Sequence, residues 1–96
     1  MNHFVLSASL VERESLRYTP AGIPVLQCGL QYQGSVVEAG QTRQVAFSVE
    51  AVVAGEMTDV VVRLALGQIA EFTGFLASKR RNSKNLVFHI TGCSPQ

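Results

Sequence analysis

The sequence has no tryptophan, only two cysteines and two histidines, and no aspartate or glutamate after Glu71. Each shortage removes a class of function. Cys28 and Cys93 form no CxxC pair, and two cysteines make neither a disulfide scaffold nor a zinc site, so both are expected as buried free thiols. His3 and His89 lack a second ligand at metal spacing, and neither they nor the Ser7/Ser9 pair come with a carboxylate that would suggest a catalytic triad. Glycine-rich phosphate loops are missing as well. The expectation is a protein that is not an enzyme and carries no metal or cofactor. No apolar run approaches the roughly 20 residues of a membrane span, and Met1-Asn2-His3-Phe4 lacks the basic start and apolar stretch of a signal peptide. These features predict a cytoplasmic protein without membrane contact.

The 96 residues suffice for one domain, 1–96. A chain of this length buries about 60 to 70% of its unfolded surface, so its core is modest. Apolar residues make up 47% and charged ones 16%, which argues against disorder. The net charge of +1 hides an uneven distribution. Side chains from Met1 to Glu71 carry four positive and seven negative charges, whereas those from Phe72 onward carry four positive ones alone. All four of the latter lie in Lys79-Arg80-Arg81-Asn82-Ser83-Lys84.

Alternation of apolar and polar residues predicts strands. The first runs from Phe4 to Val11, with Phe4, Leu6, Ala8 and Leu10 on one face. Thr19-Pro20-Ala21-Gly22 reads as a tight turn, because proline presets the turn and glycine supplies a positive φ. It opens a second strand, Ile23 to Gln33, in which Leu26, Cys28, Leu30 and Tyr32 face in while Gln27, Gln31 and Gln33 face water or a polar ligand. Gly34 to Thr42 reads as a polar loop, and Arg43 to Val53 as a third strand that turns Val45, Phe47, Val49, Ala51 and Val53 inward. Thr58 to Gly67 suits a short helix capped by Thr58, although its β-branched Val60-Val61-Val62 fits an extended segment as well. A fourth strand, Gln68 to Ala77, carries Gly74 at its middle, where a bulge or bend is expected. After the basic loop comes a fifth strand, Asn85 to Thr91, and Gly92 to Gln96 reads as a tail. Five strands with a helix between the third and fourth is the order of an all-β OB-fold, a five-stranded Greek-key barrel. Strand pattern alone leaves an SH3-like barrel open; the helix position selects the OB-fold.

The segment Val5-Leu6-Ser7-Ala8-Ser9-Leu10-Val11, followed by Leu16-Arg17-Tyr18-Thr19-Pro20-Ala21-Gly22, resembles the opening of bacterial single-stranded DNA-binding proteins, as does the fourth strand from Gly67 to Leu76. Within that group, Ala21-Gly22-Ile23-Pro24, Glu38-Ala39-Gly40, Arg43-Gln44, Gly74-Phe75 and Val87-Phe88-His89 are similar to the primosomal replication protein N (PriB) family. The likeness covers nearly the whole chain. It implies a homodimer of OB-folds that binds single-stranded DNA in replication restart and bridges it to the PriA helicase and the next primosome loading factor. It also implies that DNA crosses the exposed strand face and follows the basic loop. General single-stranded DNA-binding proteins recruit partners through an acidic tail; a chain finishing at Ser94-Pro95-Gln96 is not expected to do so. The family's best-known form carries a base-stacking tryptophan on the third strand, where this sequence has Ala46 or its neighbour.

A single nucleic-acid strand is held by cations along its phosphates and rings under its bases. The candidate cations are Lys79, Arg80, Arg81 and Lys84, with Arg17 and Arg43 as additions, and no acidic residue is expected nearby to neutralise the loop. Four such contacts give a salt slope of roughly −3 per protomer, at about −0.7 each. Candidate rings are Tyr18, beside Arg17 at the turn, and Phe75, whose parity sets it opposite Phe72 and Leu76. Phe47 shares the parity of Val45 and Val49 and is expected in the core. Two other functions compete: an OB-fold protein interaction module with weak DNA binding, and an RNA-binding small barrel of the cold-shock type. A homodimer would cover the edge of the first strand by pairing two such edges across a two-fold axis.

Overall fold

The computed structural model describes residues 1–96. It contains β1 (Phe4–Arg13), β2 (Arg17–Tyr18), β3 (Pro24–Glu38), β4 (Gln41–Ala54), a 3-10 turn (Gly55–Met57), α1 (Thr58–Val62), β5 (Ile69–Ser78) and β6 (Leu86–Pro95). The sheet order is β1-β5-β6-β4-β3-β2, and a further β1–β3 pairing closes it into a barrel. Five long strands and a helical segment between β4 and β5 make the expected OB-fold. The two-residue β2, which pairs Arg17 with Val25 and Tyr18 with Pro24, escapes a period-2 reading because it is too short to alternate.

β1 serves two neighbours in turn. Phe4 to Ser9 pair with β5, and Ser9 to Arg13 with β3. The register slips between Leu10 and Glu12, so Val11 is the extra residue, and the bend this bulge makes carries the strand across the barrel corner. Before Ser9 the second edge of the Phe4–Ala8 half meets no strand. The tight turn forms as expected: the Gly22 N–H donates to the Thr19 carbonyl at 2.8 Å, and Gly22 takes φ +85°. β4 and β6 run parallel over three pairs only, Ala51 with Phe88, Val52 with His89 and Val53 with Ile90.

Inward parity holds along the barrel. Ala8, Leu10, Leu26, Leu30, Val53, Ala70, Phe72 and Ile90 are all buried, and Val61 and Leu64 enter the same core from the helical segment. Thr58 does not cap α1. Met57 stands at the N-cap, and the buried Thr58 hydroxyl donates to the Gly55 carbonyl at 2.7 Å, closing the 3-10 turn from within. The far end of α1 is held from β1, because Arg13 Nη1 donates to the Val62 and Leu64 carbonyls at 3.0 and 2.7 Å. Arg13→Met keeps the aliphatic stem and loses both charge-assisted bonds. It is expected to cost about 1.5–3 kcal/mol in a urea melt.

Three expectations about loops need correction. Gly34 to Thr42 is no loop: β3 and β4 stay paired up to Glu38 and Gln41, and the whole reversal is made by Ala39 and Gly40 at φ +52° and +76°. Such a two-residue turn matches the twist of long strands, so polar residues can remain in a ladder. Phe47 therefore keeps its inward parity but lies where the hairpin has run past the barrel; it is 43% exposed and stacks on Tyr32 at 5.3 Å. Gly92 to Gln96 is no tail either. β6 continues to Pro95, pairing Gly92, Cys93, Ser94 and Pro95 with Thr73 back to Ala70. The bend anticipated at Gly74 is present, with Thr91 as the extra residue opposite it.

Of the two thiols, both free, Cys28 is buried and Cys93 only half-buried. Burial pushes the Cys28 thiol up to about 11, and burial raises Cys93 as well. A thiol raised in the folded state lends stability below its unfolded value, and that stability is lost as pH climbs towards the folded one. Stability is thus expected to fall between about pH 9 and 11 by more in the native chain than in Cys28→Ala, as read from urea melts across that range. No helix in the structure is long and apolar enough to cross a membrane.

Candidate nucleic-acid interface

A groove of about 530 Å³ crosses the outer strand face. Glu12, Arg13 and Glu14 wall one side, at the end of β1. Gln27, Cys28, Glu50, Ala51 and Val52 of β3 and β4 form the floor, and Ser78, Lys79, Val87 and His89 close the other side. Outward parity delivers these polar groups: Gln27 and Glu50 alternate with the buried Leu26 and Ala51. The glutamine face therefore reaches the groove at Gln27. With its amide oriented to satisfy both neighbours, Gln27 donates to Glu14 Oε2 at 3.1 Å and accepts from Arg17 Nη2 at 3.2 Å. This relay fixes Arg17 at the groove's edge, next to Tyr18, which is 66% exposed.

The basic loop leaves from the opposite side, where Lys79 lines the groove. Its base is closed by Lys79 N–H to the Asn85 carbonyl at 2.8 Å, and its tip turns through Asn82 at φ +63°, with Ser83 N–H on the Arg80 carbonyl at 3.0 Å. Arg80, Arg81 and Lys84 are exposed and make no salt bridge. Lys79 does. Its ammonium meets both carboxylate oxygens of Glu50 at 2.9 and 3.0 Å, which corrects the expectation that no acidic group neutralises the loop. Sequence distance hid that partner, because the sheet brings β4 under the start of the loop.

Phe75 sits on the outer face, as its parity requires, and is 38% exposed. It is paired in register with His89, and the two rings stack nearly parallel, 4° apart with centroids at 4.7 Å. His89, read as isolated from the sequence, is half of this aromatic platform and lines the groove. Arg43 stands elsewhere: it bridges to Glu38 in the long hairpin, seven positions from Glu50 and so about 24 Å along β4. Ala46 is exposed and pairs with Gln33, leaving no ring at that point of the sheet. The structure thus sets Lys79 in the groove, Arg17 beside it through Gln27 and Phe75 beside it through His89, whereas Tyr18, Arg80, Arg81, Lys84 and Arg43 do not line it. Glu12, Glu14, Glu50 and His89 were not singled out as site residues by the sequence, since only closure of the barrel makes them neighbours.

A closed five-stranded barrel with a polar groove between its first connection and a basic hairpin loop defines an oligonucleotide-binding type of β-barrel. A model of the family described as another single-strand binding protein family matches residues 2–92. The replication restart protein PriB of Nitrosomonas europaea is 35% identical over 93% of this chain and 82% of that protein. A crystal structure of PriB from Ralstonia solanacearum superimposes with a TM-score of 0.91 at 48% identity, covering 100% of this chain and 98% of the other. The single-stranded DNA-binding protein of Thermus aquaticus shares the fold, with a TM-score of 0.76 at 23% identity over 100% of this chain and 50% of its own. The chain belongs to the PriB family of single-strand binding proteins.

Proposed function

We propose that this protein binds single-stranded DNA in replication restart, as a non-enzymatic cytoplasmic factor that bridges DNA to the PriA helicase and the next primosome loading factor. The observation that carries this reading is the polar groove lined by Lys79 at the start of a loop whose next cations, Arg80, Arg81 and Lys84, are exposed and unpaired, in a chain of PriB descent. The strand's phosphates follow that loop and Arg17, with Lys79 at the groove end of the loop, while bases stack on Phe75 and its partner His89 and on Tyr18. Arg43 adds a contact only for a strand long enough to reach the hairpin. Two copies pair through the unoccupied β1 edge from Phe4 to Ala8, where Phe4 and Val5 are exposed, and a homodimer doubles the loop cations. Light scattering reads that dimer directly.

The test is a titration of the native chain with oligo-dT at rising salt. A slope of log K against log salt of about −3 per protomer is expected from the three free loop cations together with Arg17. Absence of oligo-dT binding at low salt rejects the reading, and tighter binding of oligo-rU assigns the barrel to RNA. The carboxylates of Glu12, Glu14 and Glu50 in the groove favour a second reading, an interaction module whose main partner is protein. PriA capture that survives loss of the loop cations, with oligonucleotide binding below detection, selects it.

A further inference from the structure

We propose that Glu50 is an internal competitor for the DNA phosphates: it holds Lys79 out of service, and the chain's affinity for a single strand is set below what its loop can deliver. The inference rests on the groove being the DNA site. Lys79 is the loop cation nearest the groove floor and the one member of the loop that carries a carboxylate partner. Both Glu50 oxygens face its ammonium at 2.9 and 3.0 Å, so the pair presents no net charge to a passing phosphate. The pair is also solvent-facing, with 37% of the lysine side chain and 59% of the glutamate exposed. Exposed pairs of this kind are weakly held, so Glu50 lowers Lys79's contribution without locking the loop. Its carboxylate also repels any phosphate entering between Lys79 and the groove floor, where Glu12 and Glu14 already add negative charge.

Four variants separate the alternatives by oligo-dT titration over a range of salt, each first checked for a native melting transition. Glu50→Gln frees Lys79, and it is expected to bind about three- to tenfold tighter at 50 mM salt with a slope steeper by about 0.7 per protomer. Lys79→Ala leaves Glu50 bare and binds more weakly than native. The double variant returns to within about twofold of native with an unchanged slope, because the pair it removes was neutral. Glu56→Gln makes the same charge change on an exposed residue outside the groove and leaves the slope as it was. The proposal is overturned if Glu50→Gln binds no tighter than a native chain that does bind. It is equally overturned if the double variant loses about 0.7 of slope, since Lys79 would then already hold a phosphate, or if Glu56→Gln matches Glu50→Gln in both affinity and slope. Failure of the native chain and Glu50→Gln alike to bind rejects the groove as a DNA site, and this inference with it.

Discussion

Alanine at Arg80, Arg81 and Lys84 together is expected to weaken oligo-dT binding by about a hundredfold or more at 50 mM salt, and to flatten the salt slope by about 2 per protomer. All three side chains are exposed, and none is spent on an ion pair, so each is free to displace a counterion from a phosphate. Their loss removes the long-range attraction that draws the strand to this loop. Stability is expected to move by no more than about 0.5 kcal/mol, since the loop's shape rests on backbone bonds and on Asn82 rather than on these charges. Fluorescence anisotropy with labelled oligo-dT, beside a urea melt, reads both quantities. With no tryptophan on β4, charge has to carry more of the affinity here, and high salt should abolish binding almost completely. An equally tight triple variant would remove the loop from the site.

Gly74→Ala is the substitution expected to damage the fold most. A Cβ at residue 74 would overlap the His89 carbonyl oxygen and press on the Ile90 backbone, and backbone cannot rotate away as a flexible side chain would. Gly74 is buried and sits where β5 and β6 change register, with Thr91 bulged out opposite it. To admit one methyl group the two strands must separate, which breaks ladder bonds beside the buried Phe72 and Ile90. A loss of about 3 kcal/mol or more follows, at the upper end of overpacking effects. Denaturant unfolding at equilibrium measures it; a loss below about 1 kcal/mol would mean that the bulge absorbs the methyl group. Because His89 is the residue that meets it, the Phe75–His89 platform is disturbed by the same change.

Local patterns made much of this legible in the sequence. Strand parity, the Thr19–Gly22 turn, the bend at Gly74 and a helix ahead of β5 all follow from residues within a few positions of one another. The errors share one physical cause. How far a strand runs depends on what lies beside it, so Gly34 to Thr42 became ladder because β3 and β4 had each other, and Gly92 to Pro95 became ladder because β5 offered an edge. Phe47 shows the same thing at one residue: its face was correct, but the core stops before reaching it. Glu50 has the outward parity of its strand, opposite to Val49 and Ala51, and it is exposed. That it meets Lys79 depends on the order in which the sheet closes, and no spacing in the sequence records that.

The three parallel pairs that join β4 to β6 are the seam of the barrel, and Ala51, Val52 and His89 from that seam also line the groove. Its two sides lie 37 positions apart along the chain, from Ala51 to Phe88, so the seam closes only after that loop has been drawn in. A ligand across the groove touches both sides at once and has nothing equivalent to grip in an open chain. Occupancy and closure then become one equilibrium: a ligand present at a hundred times its dissociation constant adds about 2.7 kcal/mol to the apparent stability. The amide protons of Val52 and His89 would be the first to report it, by exchanging more slowly with solvent as the groove fills.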